Sequence, residues 1–281
     1  MSHPSLSQTS YGKSRIRLVR VTRHGDRHRM RDFTVAVAFE GRYDTSYTDG
    51  DNREVLPTDT MKNTVYALAA RDGVGEPEAF GAALGRYFIE RNPTLDRAIV
   101  DIADHGWSRI AIGDREHGSA FVRRGPETRT ARVVTDRAAT TVMAGVTELI
   151  IAKTSRSAFA GFPRDEFTTL PETNDRLFVT SLTSSWTYGE LDIDYAAVYP
   201  SVRTILLESF AQHDSLSVQH TLYAMGEVVL DTIDAVRSIH LEMPNRHHLP
   251  IDLTKFGMEN RNEVFVATEE PHGLIKATLT R

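Results

Sequence analysis

The 281-residue chain contains no cysteine. Disulfides, thiolate metal sites and a cysteine nucleophile are therefore excluded, which leaves oxygen and nitrogen chemistry for any active site. Long apolar runs are missing too. No stretch approaches the roughly 18 residues that a membrane-spanning helix needs, so no membrane span is expected. There is no excess of basic charge: the formal net charge is -5, and no global field favours nucleic acid as a partner. Residues 1–10 lack the apolar core of a secretory signal and are expected to form a flexible N-terminal segment. The chain closes on Thr278-Leu279-Thr280-Arg281, which is not a peroxisomal Ser-Lys-Leu address. A cytoplasmic location is the expectation.

Hydrophobic residues make up 40% of the chain and charged residues 25%, the balance of an ordinary soluble protein. The length suits two domains better than one. Phe33, Val35, Val37 and Phe39 alternate with Thr34, Ala36, Ala38 and Glu40, which predicts a half-buried strand. Ile16 to Val21 is expected to pair with it antiparallel, through a long loop at His24-Gly25-Asp26. Met61, Val65, Leu68 and Ala69 recur at helical spacing after Thr58, a candidate N-cap. A second helix is expected after Gly75-Glu76-Pro77, with Phe80, Leu84 and Tyr87-Phe88 along it. Strands are expected again at 98–103 and 131–134.

The second half repeats that order. Strand patterns cover 141–152 and 177–188, helices 195–213 and from Ser217 onward, and strands 239–243, 264–267 and 274–279. Asn63-Thr64-Val65-Tyr66 matches His220-Thr221-Leu222-Tyr223 in type and in place, as two related halves would. Strand pair, helix pair, strand pair predicts an α+β fold with helices on one face of an antiparallel sheet. The edges of such a sheet must be covered or paired.

Several short stretches carry chemistry. Pro57-Thr58-Asp59-Thr60 and Ser217-Val218-Gln219 are helix starts, where free N–H groups and the helix dipole favour an anion. Plain capping is the bland alternative. Gln219 offers an amide that both donates and accepts. Arg176, after Asp175, offers a planar fork of donors to an anionic ligand; a surface salt bridge is its alternative reading. Asn245-Arg246-His247-His248 follows a strand, and histidine shuttles protons near neutral pH. Paired histidines, with His105 and His117, also raise a metal, but no thiolate, helical His-x-x-x-His or carboxylate cluster completes a ligand set, so no metal is expected. Lys13 opens the first strand and gains chemical interest only beside a hydroxyl whose proton it helps to move.

Together these stretches resemble the urate oxidase (uricase) family over nearly the whole chain from Tyr11. The matching segments are Tyr11-Gly12-Lys13, Thr58 through Tyr66, Ala152-Lys153-Thr154 leading to Phe159-Ala160-Gly161-Phe162, Arg164 through Leu170, Asp175-Arg176, Ser217 through Tyr223 and Met243 through His247. The resemblance implies two tandem tunnelling-fold domains, at 11–136 and 137–281, assembling into a tunnel-shaped barrel. It implies a homotetramer with active sites at subunit interfaces, no cofactor, and urate and dioxygen as substrates. It assigns Lys13, Thr58 and His247 to a proton relay. It places urate against Arg176 and Gln219, the start of the helix at Ser217 and Val218, the backbone N–H of Asp59, the Phe159 ring and Leu170. Asn245, with Thr58, is to hold dioxygen or water above the urate plane. The implied products are 5-hydroxyisourate and hydrogen peroxide.

Two positions depart from the family pattern. Ser119 stands where many members carry a second histidine after His117, and Arg246 stands where lysine is usual. Neither belongs to the relay. Two rival functions remain. A zinc-dependent cyclohydrolase of related fold would need cysteine ligands. A purine-binding protein without turnover would keep the pocket and lose the relay.

Overall fold

The computed structural model describes residues 5–268 and 270–281. Of the expected flexible segment, residues 1–4 lie outside the described residues, and residues 5–10 carry neither helix nor strand. The chain forms two compact units. One runs to Gly145 and includes Glu190–Ala196; the other holds Val146–Gly189 and Ala197–Arg281.

In the first unit, β1 (Tyr11–His24) and β2 (Arg27–Gly41) pair antiparallel. Phe33, Val35, Val37 and Phe39 share one face and are at most 1% exposed. A slip of one residue would turn all four to the opposite face, so their burial sets the register. The loop between the strands is shorter than expected, only Gly25 and Asp26. Gly25 takes φ +55, a left-handed geometry that suits a two-residue turn and costs glycine nothing. At the other end of β1, a Cβ on Gly12 would stand 2.1 Å from the Val37 carbonyl oxygen. Register then slips between Lys13 and Ile16, with Arg15 at φ +58. That is a β-bulge, which bends the strand just past Lys13.

After a one-turn helix, α1 (Thr45–Thr48), come α2 (Thr58–Arg71) and α3 (Pro77–Arg91). Met61, Val65, Leu68 and Ala69 form the buried stripe of α2, as their spacing requires. Thr58 is not the N-cap: Pro57 holds that place and Thr58 is the first helical residue. The strands β3 (Leu95–Asp104), β4 (Trp107–Ile112), β5 (Arg115–Arg123) and β6 (Thr128–Asp136) follow. β1, β2, β3 and β6 lie side by side, each pair antiparallel. β4 and β5 make a separate hairpin that the sequence patterns did not reveal.

Charges are buried where α3 meets this sheet. Glu78, fully buried, accepts from Arg129 at 2.7 Å, and Arg129 also reaches Glu76 at 2.6 Å. Arg31 bridges Glu76 and Asp104. Burial raises the Glu78 carboxyl above its usual range, and the nearby Arg129 opposes that shift. Such a cluster holds together only while each charge keeps its partner.

The second unit takes up β7 (Thr140–Lys153) from Val146 onward and contains β8 (Phe178–Tyr188); α4 (Tyr195–Gln212), which enters it at Ala197, α5 (Val218–Thr232) and β9 (Val236–Arg246) come after. Then come β10 (His248–Pro250), a 3-10 turn at Thr254–Phe256, β11 (Phe265–Ala267) and β12 (Gly273–Thr280). β9 lies between β8 and β12, antiparallel to both. Phe178, Leu182 and Trp186 on β8 and Ile239, Leu241 and Met243 on β9 have no exposed surface. The Trp186 indole N–H donates to the Tyr188 hydroxyl at 3.0 Å, so this aromatic core leaves no indole donor unpaired.

Both halves thus run strand, strand, helix, helix, strand, strand. Each also carries a small two-stranded sheet between its last two strands, β4–β5 in one and β10–β11 in the other. The opening strand of each has one left-handed residue, Arg15 in the first and Glu148, at φ +56, in the second. The chain is therefore α+β with antiparallel sheets, as its hydrophobic patterning predicted.

Candidate active site

A cleft of about 260 Å³ lies in the second unit, lined by Phe159, Leu170, Arg176, Asn245 and His247 among others. Asn245 is near the end of β9, opposite Thr180 of β8 and Gly273 of β12. Held from both sides, it is only 9% exposed. Its side-chain amide has no hydrogen-bond partner among the described residues. His247 follows at the break between β9 and β10. Its carbonyl accepts from the Thr268 backbone N–H at 2.9 Å and hydroxyl at 3.0 Å. The backbone is fixed there, while the imidazole has no partner among the described residues.

Arg176 is positioned by two short segments. Phe159 and Thr173 exchange backbone bonds of 2.8 and 3.0 Å. The Thr173 hydroxyl donates to the Asp175 carbonyl at 2.8 Å, and the Asp175 carboxylate accepts from the Ser157 N–H at 3.2 Å. Asp175 thus orders the backbone and forms no salt bridge with its neighbour. The Arg176 guanidinium lies 5.3 Å from the Phe159 ring centroid, and Phe162 stacks on Phe159 at 4.9 Å. Arg176 is half-buried with no carboxylate partner among the described residues, and burial lowers its pKa from the ordinary value. A partly desolvated cation without a carboxylate partner suits an anion with planar acceptors.

The helix starts are arranged differently from one another. In α5 the Ser217 hydroxyl accepts from the His220 N–H at 3.1 Å, a true N-cap. That leaves the N–H groups of Val218 and Gln219 without acceptors inside the helix. Gln219 is exposed and Val218 buried; neither they nor Ser217 line the cleft. In the first unit α2 has no side-chain cap among the described residues, so its opening N–H groups lack a side-chain acceptor. The Asp59 carboxylate is taken up within the helix by Lys62 at 2.5 Å and Asn63 at 2.8 Å. The hydrogen bond from Lys62 is the main reason its pKa is lowered, with a smaller coulombic contribution from Lys13. What Asp59 can offer a ligand is therefore its backbone N–H. The Tyr11 hydroxyl accepts the Leu56 N–H at 2.9 Å, which ties the lead-in to α2 to the start of β1. Lys13 and Thr58 are both half-buried, and their side chains have no hydrogen-bond partner among the described residues.

The profile of one protein family, described as Uricase, matches residues 9–134 and 142–276. The chain belongs to the uricase family. A uricase of Arthrobacter globiformis is 41% identical over 98% of this chain and 90% of its own length. One of Dictyostelium discoideum is 35% identical over 99% and 98%. The crystal structure of the Arthrobacter globiformis uricase superposes with a TM-score of 0.95 and 41% identity, covering 100% of this chain and 96% of that one. A uricase structure from Bacillus fastidious gives 0.85 at 25% identity, over 97% and 93%. As a member of the uricase family the chain is an oxidoreductase with urate oxidase activity.

Against that family, the structure sorts the expected site residues into two sets. Phe159, Leu170, Arg176, Asn245 and His247 share the cleft, with Ser217, Val218 and Gln219 at the α5 start in the same unit. Lys13, Thr58 and Asp59 belong to the first unit. Of the histidines that raise a metal, His105, His117 and His248 have separate partners. His105 bonds Thr34 at 2.7 Å and Arg123 at 3.0 Å. His117 accepts from the backbone of Ser119 and Ala120. His248 bonds the Arg246 carbonyl at 3.1 Å. Sequence reasoning missed Thr173 and Ser157, which hold Arg176 and Phe159 in place. Apart from the Thr173 hydroxyl, their role is carried by backbone bonds, and residue type leaves no trace of those.

Proposed function

We propose that the chain oxidises urate with dioxygen and water, without a cofactor, to 5-hydroxyisourate and hydrogen peroxide. The observation that carries the reading is the meeting of Arg176, Asn245 and His247 beside the Phe159 ring, three polar side chains whose hydrogen-bonding capacity no group among the described residues meets. Urate is a planar anion with donors and acceptors around its edge. The Phe159 ring offers it a stacking face, Arg176 and Gln219 its two planar forks, and the N–H groups of Val218 and Asp59 the anion-favouring ends of two helices. Leu170 and Ser217 shape the pocket and its rim.

The relay consists of Lys13, Thr58 and His247. Thr58 is a poor base alone; Lys13 or His247 accepts its proton as the hydroxyl takes one from urate. The doubly deprotonated urate is electron-rich enough to reduce dioxygen directly. Dioxygen, held over the ring by Asn245 and Thr58, takes two electrons and forms a peroxide adduct on carbon. The proton taken from urate returns through the relay, and a second comes from the water whose hydroxide adds to the same carbon, so that hydrogen peroxide leaves. Urate, dioxygen and water are thereby balanced by 5-hydroxyisourate and hydrogen peroxide.

Lys13, Thr58 and Asp59 lie in one compact unit and the remaining site residues in the other. Sites shared between neighbouring chains of a homotetramer account for that division, and make an isolated monomer inactive. Two tandem tunnelling-fold domains, at 11–136 and 137–281, form the framework of this assembly. β1 and β12 each pair on one side only, so they supply the open edges that closing a barrel between chains requires. No helix among the described residues is long and apolar enough to cross a membrane, and we place the enzyme in the cytoplasm.

The test is urate binding without dioxygen, where no turnover occurs. Arg176→Ala is expected to weaken binding about 100-fold, the scale of charge-assisted hydrogen bonds lost from a desolvated site. Unchanged affinity in calorimetry would remove Arg176 from the site. Tight binding by the wild-type protein with no turnover in air would favour a purine-binding protein instead.

A further inference from the structure

The connection between α4 and α5 is tied to both parts of the cleft region. Ser215, 2% exposed, stands in its middle. On one side its backbone pairs with the 156–158 segment: its N–H donates to the Arg156 carbonyl at 3.0 Å, and its carbonyl accepts from the Ala158 N–H at 2.7 Å. The next residue is Phe159, the ring under the Arg176 guanidinium. On the other side the Ser215 hydroxyl donates to the Ser217 carbonyl at 3.1 Å and accepts from the Thr221 hydroxyl at 2.7 Å. Ser217 is the N-cap of α5, and Thr221, fully buried, lies one turn into that helix.

Lys153 closes the arrangement from below. It is 8% exposed at the end of β7, and its ammonium donates to the His213 carbonyl at the close of α4. It also lies 5.9 Å from the Phe210 ring. The Ala152-Lys153-Thr154 stretch is among those that carry the family resemblance, yet neither the substrate contacts nor the relay uses it.

We propose that Ser215, with Thr221 and Lys153, forms a joint that holds the Phe159 wall and the Val218 and Gln219 amides in one geometry, so that these are positioning residues for urate. The inference rests on the substrate site proposed above. Its physical basis is the short path between the two groups. From Phe159 to the α5 cap there are only the Ala158–Ser215 backbone bond and the Ser215 hydroxyl. A buried hydroxyl pair of this kind has defined donors and acceptors, and removing one partner leaves the other unsatisfied. Placement errors of about 1 Å at a reacting site are costly in rate, so a shared anchor serves the site better than two independent ones.

The test uses Thr221→Val, which keeps the shape of the side chain and removes its hydroxyl, with Thr221→Ser as the conservative control. Amide hydrogen exchange is followed in the full-length protein without urate, and again with urate under anaerobic conditions. Thr221→Val is expected to speed exchange at both 157–159 and 218–220 by about tenfold, the loss that one buried hydrogen bond brings. It should raise KM for urate by a similar factor with a smaller effect on kcat, and Thr221→Ser should restore both. Faster exchange in only one of the two segments, or in neither, overturns the joint. So does an unchanged KM accompanied only by a lower melting temperature. The wild-type protein separates this result from the fate of the underlying site. If anaerobic urate leaves 218–220 unprotected there, the substrate reading fails whatever the variant shows.

Discussion

Arg176 and Asp175 are neighbours in sequence, yet they do opposite things. Asp175 turns inward to the Ser157 N–H, and Arg176 keeps its charge for the cleft. A surface salt bridge, the bland reading of this pair, is thereby excluded. The residues proposed for the relay show the same pattern of open valence. Lys13 and Thr58 have no side-chain partners among the described residues, although Tyr11 and Asp59 beside them are engaged. Thr58→Ala and Lys13→Met should therefore fold normally and bind urate under anaerobic conditions with near wild-type affinity. Turnover should fall by at least about 100-fold, the usual contribution of a positioned acid or base. Steady-state rates close to wild type in both variants would end the relay assignment.

At the scale of elements, legibility followed burial. Strands with one buried face, such as β2 with Phe33, Val35, Val37 and Phe39, were plain in the sequence because period-two burial is what alternation encodes. The β4–β5 hairpin was invisible because Ile110, Ile112 and Val122 are exposed, so no alternation marks an inner face. Ser217 reads as an N-cap and is one. Thr58 reads the same way but is the first helical residue, since Pro57 takes the cap; the two places differ by one residue and share one composition. Of the site, residue types that face a ligand were legible. The backbone bonds of Ser157 and Thr173 were not, because any residue can make them.

Two predictions belong to the elements. Arg129 sits between Glu76 and fully buried Glu78, joining β6 to the start of α3. Arg129→Met leaves Glu78 uncompensated and should cost about 3–5 kcal/mol in denaturant unfolding. Replacing Arg129 and Glu78 together by apolar residues of similar volume should recover much of that loss. At the end of α4, burial, then His220 and Lys153, lower the pKa of His213 from its usual 6.5. The unfolded chain then takes up a proton on His213 before the folded chain does. Its contribution is intact above about pH 6.5 and is lost as pH falls through that value, levelling off below the folded-state pKa. Melting temperatures measured from about pH 8 to pH 5 should fall less steeply for His213→Gln than for wild type. Identical slopes would show that His213 is not desolvated in the folded state.

For the whole molecule, the proposed function draws on residues of both halves. The repeated order of elements places a helix start in both halves, α2 and α5, and each such start favours an anion. In the proposed reaction the second unit supplies the ring, the guanidinium and the amide, and the first unit supplies the hydroxyl and the ammonium. The central claim is that these protein groups alone carry out urate oxidation. Its most direct test follows urate absorbance and dissolved oxygen together in protein treated with a strong chelator. Equal rates of loss, undiminished by the chelator and with no metal added, are the predicted result. Urate loss that stops on chelation and returns with metal would contradict it.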